Sequence, residues 1–271
     1  MNNDIEKDFN LGGSVDKALS GQYDLKVGEV LKEAGSMTVK HFLSFSPAVM
    51  ILLVLQLAIF YIALKLQIGD PSIVLDIFEN PENFNQSIVQ AIFVANFSYE
   101  VVSAPFFAGL SLMAMSHAAG LNTKLRHIGK GLQFTVPVII ATLFSLVLQG
   151  IAGTFLPFVS LYLSLAFSNS ILLVCEKRVS PFQSLWMSLR AVNKKILSIA
   201  AIYSVVTMLF VAAAVFYGIG LIFVLPFFFH VKGIIYRNMF GIKLKVYASE
   251  KSNDDTPNDD HHNKDSRFFD A

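Results

Sequence analysis

Apolar runs long enough to cross a bilayer alternate with short polar or amphipathic stretches along most of this chain. A helical crossing of the hydrocarbon core needs roughly 20 apolar residues. The alternation is clearest from Ser180 to Gly218, where SPFQSLWMSLRAVNKK leads into ILSIAAIYSVVTMLFVAAAVFYG. Ser180 suits a helix N-cap, Pro181 its first turn, and Gln183 completes an S-x-x-Q capping box. Phe182, Leu185, Trp186, Leu189 and Val192 recur at spacings of three and four, which puts them on one helical face. Arg190, Lys194 and Lys195 gather at the end of that helix, and no charge follows from Ile196 to Gly218. The pattern predicts a helix on the membrane surface feeding a helix that goes through it.

The same module is expected twice more. Val27, Val30, Leu31, Ala34 and Met37 form an amphipathic stripe, with Glu29, Lys32, Glu33 and Lys40 elsewhere on the surface. Thr38 falls on the apolar side and weakens the stripe. A first crossing follows at 43–66, and then a polar loop at 67–86 with Asp70, Asp76, Glu79 and Glu82 but no Lys or Arg. The apolar stretch 87–118 would reach roughly 48 Å as one helix, against a core of about 30 Å. It predicts a kink near Pro105 or an outer part beyond the hydrocarbon. LNTKLRHIGKG (121–131) is a shorter, basic version of the surface helix. Crossings three and four fall at 132–153 and 155–175 with a tight turn near Gly153, and crossing six at 219–239.

Each returning helix carries Pro-Phe, at Pro105-Phe106, Pro157-Phe158 and Pro226-Phe227. Gly120 and Gly241 both lie 15 residues beyond a proline, and Lys124 and Lys245 both 19 beyond. These marks favour threefold internal repetition over three independent hairpins under the same bilayer constraint. The predicted fold is all-α: a polytopic membrane protein with six transmembrane helices as three hairpins, each preceded by a cytoplasmic amphipathic helix. Residues 1–23 are expected to be disordered, 24–245 to form the membrane domain, and 246–271 to be a disordered acidic tail.

Composition agrees with the pattern. The 271 residues are 54% hydrophobic and 15% charged, against about 25% charged in soluble domains. A net charge of +1 says little, but its placement says more. Lys124, Arg126 and Lys130 lie in one connection, and Lys177, Arg178, Arg190, Lys194 and Lys195 in another. Arg237, Lys243 and Lys245 follow crossing six. The other three connections lack Lys and Arg, apart from Lys65 near the outer end of crossing one. Positive residues stay inside, so both termini are expected in the cytoplasm. The polar first 40 residues carry no cleavable signal peptide pattern.

Few residues suggest chemistry. The single cysteine, Cys175, excludes an intrachain disulfide. No HExxH, P-loop, dinucleotide glycine motif or GxSxG occurs, so no enzyme, metal or cofactor is expected. Asp259, Asp260, His261 and His262 read as a solvated tail. Nucleic-acid binding does not fit basic residues that flank membrane segments. An ionisable residue among apolar neighbours in a span is a functional candidate. That singles out Glu100, His230 and Lys232 as a candidate ion or polar pathway. Counting back from Gly120 puts Glu100 roughly 30 Å out, at the outer interface. Lys232 lies nine residues before Gly241, within snorkelling reach of the inner boundary. Trp186, Arg190, Lys194 and Lys195 are the candidate contacts to anionic lipid.

The stretches YDLKVGEVLKEAGSMTVKHF (23–42) and LPFVSLYLSLAFSNSILLVCEKRVSPFQSLWMSLRAVNKK (156–195) resemble bacterial integral membrane proteins of the YciC-like kind. That group is similar to the membrane domain attached to some glycerophosphodiester phosphodiesterases. The resemblance spans residues 24–245 and rests on the order of its elements: proline-led helix, charged turn, small aromatic-bearing amphipathic helix, basic end, new crossing. It implies a six-helix protein of the bacterial inner membrane and carries over no active-site residue. The expectation is a membrane scaffold or lipid-interacting protein, with membrane lipids as partners and an oligomer open. The alternatives are a transporter or channel for a small solute or ion, and an enzyme or accessory subunit of lipid metabolism. A water-filled cavity reaching Glu100 or Lys232 would favour transport, and a dry core with a basic rim the scaffold.

Overall fold

The computed structural model describes residues 6–74, 85–216 and 218–247, without the side chains of residues 6–8 and 245–247. Strand β1 (Glu6–Leu11) and helix α1 (Val15–Ser20) precede two long helices, α2 (Val27–Ile68) and α3 (Gln86–Ala118). A 3-10 helix (Leu125–Phe134) leads into α4 (Thr135–Phe155), α5 (Pro157–Ala166) and α6 (Ser170–Lys177). The surface helix α7 (Pro181–Lys194), then α8 (Ile196–Val215), α9 (Leu221–Phe240) and strand β2 (Ile242–Tyr247), complete the described elements. Among the described residues, six helical segments are long and apolar enough to cross a membrane: 27–68, 86–118, 125–155, 157–177, 196–215 and 221–240. Each contains or overlaps one predicted crossing. Large apolar side chains such as Leu57, Phe144 and Met208 stay exposed on their outer faces. An apolar surface of that extent fits a place within a membrane. The chain is an all-α, multi-pass membrane protein.

The bundle is densest where the termini meet, here called the terminal end. There Leu172, Leu173, Val192, Ile199, Ile234, Tyr236 and Phe240 share one buried cluster. Helices α3 and α9 form its axis and run in parallel register. A side chain at Gly233 would strike the Ala114 carbonyl, and four residues on Arg237 donates to the Ala118 carbonyl at 2.9 Å. The same guanidinium grips Glu33 of α2 through two hydrogen bonds of 2.6 and 2.9 Å. Such bidentate pairing fixes geometry as well as charge. Gly120 and Gly241, the paired glycines beyond Pro105 and Pro226, both take positive φ just past a helix end. The first and third copies of the expected repeat therefore share a positive-φ glycine at this place. The second departs: Pro157 is exposed at a helix start, whereas Pro105 and Pro226 are buried inside helices.

Several expectations need correction. The first surface helix is not a separate element, because α2 runs unbroken for 42 residues. Its buried positions Val30, Ala34, Thr38, His41, Phe45, Val49 and Leu52 keep a spacing of three or four. With the stripe continuing into the crossing, nothing in the packing asks for a break. Helix α3 runs through Pro105 as one helix of 33 residues, which agrees with either form of the expectation for that stretch. Crossing four, by contrast, is broken, since α5 stops at Ala166 and α6 starts at Ser170. Residues 6–21, expected to be disordered, are folded. Ser14 caps α1 by accepting from the Lys17 N–H at 3.2 Å, and β1 pairs antiparallel with β2, Leu11 opposite Ile242 and Phe9 opposite Leu244. The alternation in IKLKVY is the period-2 signal of a strand, but its partner lies over 200 residues away. The tail beyond Tyr247 and the loop acids Asp76, Glu79 and Glu82 lie outside the described residues.

Candidate functional site

The break in crossing four is where the buried chemistry collects. The sequence FSNS (167–170) offers three side chains that compete with helical backbone bonds, and the chain unwinds there. Ser168 N–H still reaches the Leu165 carbonyl at 3.2 Å, and the Ala166 carbonyl accepts from Ser188 Oγ of α7 at 2.6 Å. The Ser168 carbonyl accepts from Lys232 Nζ, across from α9. Lys232 is 4% exposed, and its ammonium also lies 5.3 Å from the centre of the Phe107 ring.

That position overturns the snorkelling expectation. The backbone of Lys232 stands level with residue 113 of α3, one step from the Gly233–Ala114 contact. Its ammonium reaches to 5.3 Å from the ring centre of Phe107, a residue six positions nearer the far end on α3. Side chains on a helix lean towards its N-terminus, and α9 has its N-terminus at the far end. The lysine thus points into the membrane interior, and its charge meets the carbonyl end of α5, the negative pole of that helix.

Beyond the ammonium opens a cavity of about 370 Å³. Helix α2 contributes Gln56, and α3 contributes Tyr99, Glu100, Ser103, Ala104 and Phe107. Thr142, Ser145, Leu146 and Gln149 come from α4, and Ser164, Phe167, Ser168, Ser170 and Ile171 from the broken crossing. Gln56 donates to Ser103 Oγ at 3.1 Å, and Gln149 to Ser145 Oγ at 2.7 Å. Glu100 accepts from Asn96 at 3.1 Å. Thr142 is 9% exposed, and its hydroxyl has no hydrogen-bond partner. Polar groups held inside a membrane without partners are costly, and the Thr142 hydroxyl is such a group. Glu100 and Lys232 both line the cavity, and no ion pair joins them among the described residues.

His230, the third pathway candidate, lies elsewhere. It is fully buried on the side of α9 that faces α2. Its Nδ1 lies 3.0 Å from Thr38 Oγ1 and its Nε2 2.9 Å from Nδ1 of His117, whose Nε2 lies 2.8 Å from Thr123 Oγ1. Thr38 spends its own proton on the Ala34 carbonyl at 2.8 Å. It therefore accepts from His230 Nδ1–H. With both rings neutral, the direction of every further bond follows: His117 Nδ1–H donates to His230 Nε2, and the Thr123 hydroxyl donates to His117 Nε2. His41 stacks on His117 with ring centres 3.9 Å apart. This chain ties α2, α3 and α9 together and leaves each of its members satisfied. Thr38, read as a flaw in an apolar stripe, is its end point. Three of the six histidines, one on each of three apolar helices, were the available signal, but only a fold puts them together.

The lipid candidates also divide. Phe182 and Trp186 are 69% and 60% exposed, and Arg190 and Lys194 continue the same exposed edge of α7. Leu185 and Val192 turn inward instead, so the predicted apolar face is shared between protein and bilayer. Ser180 caps the helix as expected, accepting from Gln183 N–H at 3.3 Å. Lys195 is not on the edge. Its ammonium lies 5.4 Å from the centre of the Tyr23 ring, and the Tyr23 hydroxyl donates to the Ala191 carbonyl at 2.7 Å. Among the described residues no group of three metal-ligating side chains converges. No family model, curated protein or solved structure matches the chain; what is shown of its identity is an all-α membrane protein of six crossings.

Proposed function

We propose that the protein carries a small polar solute across the membrane, with the Glu100–Lys232 cavity as its binding site. One observation carries the reading: a polar cavity inside the membrane-spanning bundle holds an acid towards one end and a buried ammonium towards the other. A scaffold needs no such space, and ionisable residues facing an internal cavity mark solute or ion pathways. Transport therefore replaces the scaffold as the leading reading. The reading is non-enzymatic. It places the protein in a bacterial inner membrane with both termini in the cytoplasm, supported by the clustering of Lys and Arg and by the YciC-like order of elements.

A second reading stands beside it for α7. The exposed line Phe182, Trp186, Arg190, Lys194 puts two aromatics and two cations on one edge, which suits an anionic leaflet. The grip on lipid serves to hold α7, and through Ser188 the break in crossing four, at a fixed depth.

Cysteine accessibility tests the transport reading. In a Cys175→Ala background, single cysteines at Ser103, Ser145 and Ser164 should react with a membrane-impermeant thiol reagent, from both sides of a sealed vesicle. A cysteine at the lipid-facing Phe144 should stay unlabelled. Absence of labelling at all three cavity positions would mean a dry cavity and return the scaffold to first place.

A further inference from the structure

Lys232 does more than line the cavity. Its ammonium has three protons to give, and the structure supplies it one oxygen acceptor, the Ser168 carbonyl. The space in front of it is also bounded by Ser170 and Ile171, the opening turn of α6. The Ser170 N–H is spent on the Phe167 carbonyl at 3.0 Å, but the Ile171 N–H has no acceptor among the described residues, and the helix start carries a positive pole. Thr142, nine-tenths buried, brings an unpartnered hydroxyl to the same wall. An ammonium, a helix start and a free hydroxyl are donors, and what they lack in common is an acceptor with negative charge. Half-helices broken at mid-membrane present this arrangement to anionic groups.

We propose that the break between α5 and α6 is an oxyanion site, in which Lys232, the first turn of α6 and Thr142 bind a phosphate or carboxylate group. Glu100, seven positions before Phe107 on α3, bars a second anion and sets the polarity of the bound molecule, with its negative group inward and any positive group towards Glu100. The anionic group belongs either to a free solute or to the headgroup of a phospholipid whose tails lie between the helices. The assignment rests on the cavity being the binding site. It does not depend on transport.

The test uses the full chain in nanodiscs and two probes. Inorganic phosphate is titrated against protein in phosphatidylcholine discs, with binding read from the 31P resonance. Separately, native mass spectrometry counts phosphatidylglycerol retained from mixed discs. Saturable phosphate binding that weakens at least tenfold in Lys232→Met, and survives in Glu100→Gln, supports the site with a free solute. One retained phosphatidylglycerol lost in Lys232→Met, but kept in an Arg190→Gln, Lys194→Gln double variant, supports it with a lipid headgroup. If neither probe responds to Lys232→Met in a folded variant, the proposal is overturned. Should Lys232→Met fail to fold, Thr142→Val decides: several-fold weakening of either probe supports the site, and unchanged binding of both overturns it. The outcome is separable from that of cysteine labelling. Labelling without anion binding leaves a cavity for another solute, and anion binding without labelling leaves a lipid site in a protein that does not transport.

Discussion

Tyr23 shows how one side chain converts an unpromising segment into structure. The sequence around it is polar and lacks periodicity, yet the ring is 5% exposed and its hydroxyl bonds across 168 positions to Ala191. Burial pushes the phenol from 10.0 up to about 12. A group whose folded value is raised contributes fully below its unfolded value and loses that contribution as the pH climbs through the folded one. Tyr23 therefore supports the fold up to pH 10.0 and ceases to do so as the pH approaches about 12. Tyr23→Phe should cost about 1 kcal/mol at neutral pH through the lost hydrogen bond, and the gap to wild type should close in this alkaline window. Unfolding midpoints measured between neutral pH and the highest pH the detergent tolerates check both parts. A gap that stayed constant to the end would mean that the hydroxyl is not what holds residues 22–26 to α7.

Between elements, the histidine chain is the most exacting contact. It joins one residue pair on α2, the end of α3 and the middle of α9 through bonds whose directions depend on one another. His230→Ala should strand the His117 Nδ1–H, at a cost of roughly 1–3 kcal/mol for a buried donor left unpaired. Thermal or denaturant unfolding in detergent measures it, and a loss well under 1 kcal/mol would mean that water or a ring flip replaces the imidazole. This chain also marks the boundary of what sequence could tell. The six crossings, the Ser180 cap and the outward Trp186 were legible because they follow from local periodicity. Lys232 was legible as an anomaly, but not its direction, which depends on where the neighbouring crossing breaks. That break had a local sign in Ser168-Asn169-Ser170, masked by the strong apolar runs on either side. The pairing of Thr38 with His230 had no local sign at all, because the two meet only once α2 and α9 have packed.

At the scale of the whole molecule, charge and packing are unevenly shared. The terminal end holds the dense core, the Arg237–Glu33 grip and the paired strands, while the polar cavity begins nearer the middle and leads towards Glu100. One half is thus tightly cross-tied, and the other has polar space. The strand pair at the tied end closes over the bundle, with Gly13 N–H donating to the Arg237 carbonyl at 2.9 Å and the Lys243 N–H to Glu176 Oε1 at 3.2 Å. Ending the chain after Gly241 removes β2, and should leave residues 6–20 open to protease in a bundle that is otherwise intact. Equal protection with and without β2 would show that α1 alone holds them. The pairing also has a consequence in time. During synthesis β1 is made before the six described crossings and β2 after them, so the earlier strand must wait, unpaired, until those crossings have left the ribosome. Its closure would then be a late event of biogenesis, and its protection a clock for completed insertion.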